Sequence, residues 1–481
     1  MKLGVIADDF TGAVDIAGFL AKEGLRTVLC FGIDSRPDGL RCDAVVVCLK
    51  IRSCPVTDAV SQALSALAML RSAGCSVFYY KYCSTFDCTP QGNIGQVCDA
   101  LRQALSCPMT VVCPALPVNG RTVYNGYLFV KELLLAESPM RFHPMNPMWE
   151  SRIDRILSTQ TDGRCRNLPL AILRGGVAAV EAFLAGAVSD GVAYVIPDVV
   201  DDSDLDVLAR ACGTLPLLTG GSGLGGALAR LYPAVEPPAT EPTITEPTIT
   251  EPTITEPATT EPATTEPATT EPATTEPTIT EPTITEPATT EPAADGGTFA
   301  CSRRRRGVVF SGSCSIATNR QVRTYLAQAP SIAVDVARVL ADVKKYAAEI
   351  ADWVCLHQTK EKFPLVFSTC DADVKVEGAG FQRDSSVSEA IEEFFALLAV
   401  MLDRRDTGAF IIAGGETSSA VVQALRLAPC SVVMEIDPGI SWIVDADANH
   451  YLALKSGNFG CEDFFSKAQA LLTSDRQGDS V

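Results

Sequence analysis

Asp8 and Asp9 close an apolar run, Leu3-Gly4-Val5-Ile6-Ala7, and are followed at once by Phe10-Thr11-Gly12-Ala13-Val14-Asp15. Adjacent carboxylates can orient or deprotonate a hydroxyl, and Thr11 and Asp15 add hydrogen-bonding groups beside them. The apolar run has strand character and the residues after Gly12 resume with helical spacing, so the segment reads as strand, tight polar turn, helix. In an α/β domain such a turn, at the carboxyl end of a parallel strand, faces the crevice where ligands bind. The plain alternative is that Asp8, Asp9 or Thr11 only caps the helix. One cap needs one such residue, whereas Asp8, Asp9, Thr11 and Asp15 place four polar groups within eight positions.

The same arrangement returns twice in the first half. A strand expected over 77–80 delivers Lys81 and then Tyr82-Cys83-Ser84-Thr85-Phe86-Asp87. Another over 109–113 leads into Pro114-Ala115-Leu116-Pro117-Val118-Asn119-Gly120-Arg121-Thr122-Val123-Tyr124, whose prolines and glycine mark a shaped loop. Lys81 and Arg121 suit a substrate carboxylate, the arginine through a two-pronged fork, and Ser84 and Thr85 offer hydroxyls. Solvated strand ends are the bland reading of both cations. Arg141, His143 and the prolines around them continue the irregular region as a lid.

A strand over 215–218 runs into Thr219-Gly220-Gly221-Ser222-Gly223-Leu224-Gly225-Gly226-Ala227. Gly221, Gly223 and Gly226 satisfy the dinucleotide fingerprint formally, which would make the chain an oxidoreductase. That fingerprint also needs a further strand and an acidic residue about twenty positions on, and the chain instead enters a low-complexity tract. Ser222 lacks the final glycine of a nucleophile elbow, and with only three histidines (His143, His357, His450) a serine triad is disfavoured.

The second half repeats the strand, small-residue turn, helix device. The turns are Ser311-Gly312-Ser313-Cys314-Ser315, Gly414-Gly415-Glu416-Thr417-Ser418-Ser419 and Lys455-Ser456-Gly457-Asn458-Phe459-Gly460. Turns without bulky side chains let backbone N–H groups approach a polyphosphate, and a helix amino terminus adds partial positive charge. One such turn often serves packing alone; three together, with Lys455 beside one, point to a nucleotide cleft. Neither a Walker A pattern nor the protein-kinase set is present.

The chain has 481 residues and 47% hydrophobic residues, enough for two sizeable domains. From Glu236 to Pro292 it repeats Glu-Pro-Thr-Ile-Thr or Glu-Pro-Ala-Thr-Thr. Proline every fifth residue forbids helix and central strand, and little is available to bury, so a disordered, extended spacer is expected. Its glutamates carry 12 of the formal −19 charges, leaving about −7, an ordinary value that argues against nucleic acid as a partner. Arg303 to Arg306, directly after the acidic tract, read as a solvated run. The 18 cysteines include no C-x-x-C pair, and those in apolar runs (Cys30, Cys48, Cys113, Cys430) read as core residues, with no metal site. Neither a signal peptide nor an apolar stretch of about 20 residues is visible, so no membrane is expected and the cytoplasm is the default compartment.

Taken together, the runs around Asp8-Asp9, Lys81, Arg121, Gly221-Ser222, Ser311, Gly414 and Lys455 resemble the four-carbon acid sugar kinases, closest to their 3-oxo-tetronate kinase branch. The resemblance covers almost everything outside the repeats. It implies two α/β domains, each a mostly parallel sheet flanked by helices: a sugar-acid-binding domain (1–235) and an ATP-binding domain (298–481), joined by the repeat linker (236–297). It also implies transfer of the γ-phosphoryl of ATP to the terminal hydroxyl of a C4 acid, most closely 3-oxo-tetronate (3-dehydro-erythronate), with D-threonate or erythronate as alternatives. By motif, ATP contacts fall at Ser311, Gly414, Gly415, Glu416, Thr417 and Gly457, to which Ser313 and Lys455 are natural neighbours. Asp9, with Asp8 as alternative, is the candidate to orient or deprotonate the hydroxyl. Thr11, Asp15, Lys81, Ser84, Thr85 and Arg121 are candidates to hold the acid, and Mg²⁺ would accompany ATP. The repeat tract departs from the family pattern. A non-catalytic sugar-acid or nucleotide sensor is the rival from another class, and a homo-oligomer is left open.

Overall fold

The computed structural model describes residues 2–142, 146–232, 306–359, 362–368 and 385–474. The expected repeat linker and His143 lie outside the described residues.

The first strand, Leu3–Ala7, is buried along its whole length. It is flanked in parallel by Ala44–Cys48 and Val77–Lys81, both likewise buried. Continuous apolar strands of this kind need both faces of the sheet covered, which the intervening helices supply. The sheet of the first half runs Thr27–Phe31, Ala44–Cys48, Leu3–Ala7, Val77–Lys81, Leu217–Gly220, Thr110–Cys113, Tyr194–Pro197, Cys165–Leu168. Their register brings Ala7 opposite Lys81 and Gly220 opposite Lys81, so the polar turns after these strands emerge along one edge.

In the second half, Arg306–Ser311, Thr407–Ala413 and Tyr451–Lys455 are parallel neighbours, again with strand ends level: Ser311 faces Ala413 and Ala413 faces Lys455. An antiparallel hairpin, Cys430–Asp437 and Ile440–Asp445, extends this sheet. Its outer strand pairs with Thr27–Phe31 of the first half, Cys430 opposite Leu29 and Ser431 opposite Val28. The sequence predicts one sheet per half; the structure joins them at this edge into one order of fifteen strands among the described residues. Unpaired strand edges readily accept a partner, and nothing local in Thr27–Phe31 marks it as a junction.

The helix Phe10–Lys22 packs on Ser222–Ala229 through glycines. A Cβ added at Gly225 would stand 2.8 Å from Ile16 Cδ1, and one at Gly226 3.1 Å from Phe19 Cδ1. Of the formal dinucleotide fingerprint, Gly226 serves this helix packing, while a Cβ on Gly221 or Gly223 would meet the Pro114 or Ala115 carbonyl at 2.8 and 2.9 Å, in line with its missing acidic residue.

Arg121 sits on a small antiparallel sheet, Arg121–Tyr124, Tyr127–Val130 and Leu133–Leu134. Its first turn, at Asn125-Gly126, has positive φ at both residues, the usual hairpin conformation. Asp198 anchors that turn, accepting from the Gly126 N–H at 3.0 Å and from Asn167 Nδ2 at 2.8 Å.

On the second half, His450 joins Asp445, at the end of its strand, to Asp403, at the end of the helix Ser385–Asp403, at 2.8 and 2.9 Å. Burial works against the imidazolium, but hydrogen bonds to Asp445 and Asp403 outweigh it and raise the pKa above 6.5. Asp445 is itself held below 3.8, since its bonds from His450 and the backbone outweigh burial. The histidine's contribution is therefore complete below its unfolded value and lost as pH rises through the raised one, while Asp445's is lost on the acid side. Between about pH 6 and about pH 9 the melting temperature of the wild type should fall more steeply than that of His450→Gln; parallel slopes in thermal melts would refute the clamp.

Candidate functional site

Asp8 is 1% exposed at the end of a central strand, where an unpaired carboxylate is costly. Arg52, from the loop after Ala44–Cys48, clasps it in a two-pronged pair, Nε to Oδ2 at 2.8 Å and Nη2 to Oδ1 at 2.7 Å. The same Nη2 reaches Asp9 Oδ1 at 2.8 Å. Asp9 is the N-cap of Phe10–Lys22: its Oδ1 accepts the Gly12 N–H at 2.9 Å and its Oδ2 the Thr11 hydroxyl at 2.8 Å. The capping reading of the sequence is thus realised at Asp9, without using all four lone pairs of the carboxylate. Burial pushes the Asp9 pKa up, but Arg52, Lys81, Thr11 and Gly12 together hold it below the ordinary value. At Asp8 burial prevails over Arg52 and the shift is upward.

One helical turn further, Asp15 Oδ2 accepts from Ser222 at 2.6 Å and lies 3.5 Å from Lys81 Nζ, which also donates to the Tyr82 carbonyl at 2.9 Å. Asp15 Oδ1 is buried without a partner, and burial raises its pKa. Ser84 and Thr85 are buried in the turn after Lys81, Thr85 donating to Asp87 Oδ1 at 2.7 Å. Arg121 is 8% exposed, with Nη1 bound to the Asn119 carbonyl and Nε buried without a partner. Burial lowers its pKa, with Asp15 and Asp87 acting in the opposite direction. Two buried acids, Asp8 and Asp15, and the half-buried Asp9 therefore face Arg52, Lys81 and Arg121.

Across from this cluster, three turns of the second half converge. Gly414, at φ +125°, is the N-cap of Gly415–Leu425 and supplies no side-chain cap, so the first N–H groups of Gly415, Glu416 and Thr417 are presented outward. Its own N–H donates to the Lys455 carbonyl at 3.0 Å. Thr417 packs so closely on Gly312 that a Cβ there would meet Oγ1 at 2.0 Å. A Cβ on Gly457 would meet Ser313 Oγ at 2.6 Å. Ser315 caps Ile316–Leu326 and, with Thr318, donates to the Gly457 carbonyl. Ser311 is fully buried, its Oγ without a partner. Lys455 is also fully buried; it donates to Thr318 Oγ1 at 2.7 Å and the Gly457 carbonyl at 3.3 Å, and burial pushes its pKa down to about 7.

The two groups of turns meet. A Cβ placed on Gly415 would lie 4.0 Å from Asp9 Oδ2. Glu416 pairs with Lys50 at 2.7 Å, and the Arg121 guanidinium lies 5.5 Å from the centre of the Phe459 ring. At Gly439, φ +82° in the hairpin turn, a Cβ would stand 2.6 Å from Asp15 Oδ1, so glycine is required on both counts. Sequence reasoning missed Arg52, which no motif flags because its partners lie 44 residues away. It also missed Asn93, whose Nδ2 fixes the Arg52 loop through the carbonyls of Ile51 and Cys54 at 2.7 and 2.8 Å. The Ser222 contact with Asp15 and the Phe459 contact with Arg121 are long-range in the same way. Among the described residues no group of three or more His, Cys, Asp or Glu forms a metal site.

Residues 3–228 match the model of a sugar-binding N-terminal domain and residues 308–465 that of a nucleotide-binding C-terminal domain. A sugar-binding half and a nucleotide-binding half in one chain are the parts of a kinase, a phosphotransferase with an alcohol group as acceptor, and the full-length relatives are kinases. The 3-oxo-tetronate kinase of Brucella melitensis is 40% identical over 482 residues, covering 100% of this chain and 97% of that protein. That of Escherichia coli K12 is 40% identical over 444 residues, covering 91% and 99%. The crystal structure of a Haemophilus influenzae protein superposes with a TM-score of 0.67 at 38% identity, covering 97% of this chain and 99% of the other. A Salmonella typhimurium LT2 structure gives 0.74 at 39%, covering 97% and 98%. The chain belongs to the 3-oxo-tetronate kinase family.

Removing Arg52 leaves a buried carboxylate uncompensated, whereas removing the Asp8 charge leaves Arg52 paired with Asp9. Arg52→Gln should therefore cost about 3 kcal/mol of unfolding free energy and Asp8→Asn clearly less. The reverse order in urea titrations would show that Asp8 does not depend on this pair.

Proposed function

We propose that the chain transfers the γ-phosphoryl group of ATP to the terminal hydroxyl of 3-oxo-tetronate (3-dehydro-erythronate), giving the 4-phosphate. The observation that carries this reading is the approach of Gly415, at the open head of a helix, to the carboxylate of Asp9. The names carried by the full-length relatives support the acceptor. D-threonate and erythronate are alternative acceptors, since epimers differ by one hydroxyl and are told apart by local hydrogen bonds.

In this mechanism the N–H groups of Gly415, Glu416 and Thr417, with Ser311, Ser313 and Gly457 around them, hold the nucleotide phosphates. A phosphate near Lys455 favours its charged form, reversing the effect of burial. Arg121 receives the carboxylate of the acid, and Lys81, Ser84, Thr85, Thr11 and the unpartnered oxygen of Asp15 meet its hydroxyls. Asp9 orients the attacking hydroxyl. Its lowered pKa makes it a weak base, and this suits a loose phosphoryl transfer, in which the hydroxyl need not be deprotonated in advance. Mg²⁺ carried by ATP is held mostly by phosphate oxygens and water and needs only one or two protein carboxylates, for which Glu416, in the first turn of Gly415–Leu425, is the candidate. It would supply neutralisation of the phosphate charge. We assign the domains as 1–235 and 298–481 with the repeat between them as a spacer, and place the reaction in the cytoplasm. No helix among the described residues is long and apolar enough to cross a membrane.

ADP release measured with 3-oxo-tetronate, D-threonate and erythronate tests the assignment. Turnover with 3-oxo-tetronate should exceed the others; acid binding without ADP formation would favour the sensor. Asp9→Asn should lower kcat by about 10²-fold or more while the KM for ATP moves by less than about threefold. Equal losses in both would remove Asp9 from the acceptor's side of the reaction.

A further inference from the structure

One short segment, 455–461, serves both halves of the site. At its start, the Gly457 carbonyl accepts from Thr318 Oγ1 at 2.8 Å and from Ser315, the cap of Ile316–Leu326, so this end is built into the proposed nucleotide turns. At its other end, Asn458, Phe459 and Cys461 line a cavity of about 380 Å³ together with Asn119, Arg121 and Lys131 of the first half. The same helix ties down that end too: Gln321 Nε2 donates to the carbonyls of Phe459, Gly460 and Cys461 at 3.1, 3.0 and 2.9 Å. Thr318 and Gln321, one turn apart, thus grip the two ends of the segment.

The cavity has the chemistry of a carboxylate receiver. Arg121 Nε and Asn119 Nδ2 are buried N–H donors without partners, and such groups are costly unless a ligand satisfies them. The Phe459 ring supports the guanidinium. The acid that also lines the cavity, Asp437, is engaged within its own half by the Cys461 N–H at 2.8 Å and by Lys467. Its charge is therefore not left to repel an anion. Pro438 lines the cavity beside Asp437, and the next residue, Gly439, packs against the unpartnered oxygen of Asp15.

Resting on the kinase reading, we propose that this segment couples the two substrates. ATP at the Gly457 end holds Phe459 against Arg121, and the acid, its carboxylate on Arg121 and Asn119, binds more tightly as a result. Coupling between binding sites is reciprocal, so the acid must tighten the nucleotide by the same factor.

Calorimetric titration of the full chain with 3-oxo-tetronate, with and without saturating Mg²⁺ and the non-hydrolysable analogue AMP-PNP, measures this. The Kd of the acid should fall about fivefold or more with AMP-PNP, and that of AMP-PNP should fall equally with saturating acid. Phe459→Ala should reduce the factor to below about twofold, with Phe459→Leu as a second variant if the alanine form melts early. Arg121→Gln should weaken the acid about tenfold or more in both states. Acid binding that is indifferent to AMP-PNP in the wild type, or coupling that survives both Phe459 variants, would overturn the coupling and leave the kinase reading standing. Failure of the acid to bind in either state would instead overturn that reading, and this inference with it.

Discussion

A carboxylate buried at the end of a central strand has to find its countercharge inside the fold, and much of the site follows from how Asp8 finds it. Arg52 can reach it because the loop carrying it continues the sheet's own hydrogen bonding: the Leu49 N–H donates to the Ala7 carbonyl and the Ile51 N–H to that of Asp8, both at 3.0 Å. Asn93 holds the same loop from the other side. Since the guanidinium is shared with Asp9, the pair that stabilises the strand end also fixes the carboxylate proposed to meet the hydroxyl. Buried ion pairs contribute little net stability but are costly to break. The value of this one lies in position.

The charges beyond it continue in alternation. Lys81 stands against Asp15, and Arg121 lies where Asp15 and Asp87 act on it most strongly. Four acids, with Asp87 counted, meet three cations, so the inner cluster has no cation to spare for an anionic acid, which is best received at its outer end. There Arg121 has an unused N–H and Lys131 adds a further cation. The shared sheet keeps these groups in register with the second half. The pairing of Thr27–Phe31 with Cys430–Asp437 anchors the hairpin whose turn, at Gly439, presses on Asp15.

What was legible in the sequence was local. A strand ending in polar residues with a glycine after it announces itself within ten positions, and so the turns at Asp8, Lys81, Ser311, Gly414 and Lys455 could be read directly. Element ends moved by a few residues: the helix expected from Ala420 begins at Gly415, because glycine and serine weaken the helical pattern at the very turn that presents its N–H groups. The hairpin 430–445 was not seen, as one of its strands is buried on both faces and shows no alternation. Asn125-Gly126, by contrast, is a strong turn signal that sequence reading passed over. Arg52, Asn93 and the Arg121 contact with Phe459 could not be seen, for each is a meeting of segments far apart in the chain. Lys455 was placed beside the right turn, but its burial against Thr318 depends on a helix from another part of the half.

Among the described residues, the helix amino termini at the polar turns are not equivalent. Phe10–Lys22 is filled by its own cap, Asp9, and Ile316–Leu326 by Ser315. Ser222–Ala229 has no side-chain cap, but its first residue binds the carboxylate of Asp15, which brings negative charge to that end. Gly415–Leu425 starts at a glycine with neither arrangement. Partial positive charge at a helix start attracts anions, and at three of these ends the protein supplies the oxygen itself. A serine or aspartate at 414 would be the better cap by intrinsic preference, but it would occupy the space and, at φ +125°, would be strained. Glycine there gives up a cap and keeps one amino terminus open to a polyanion, beside the carboxylate that Arg52 holds in place.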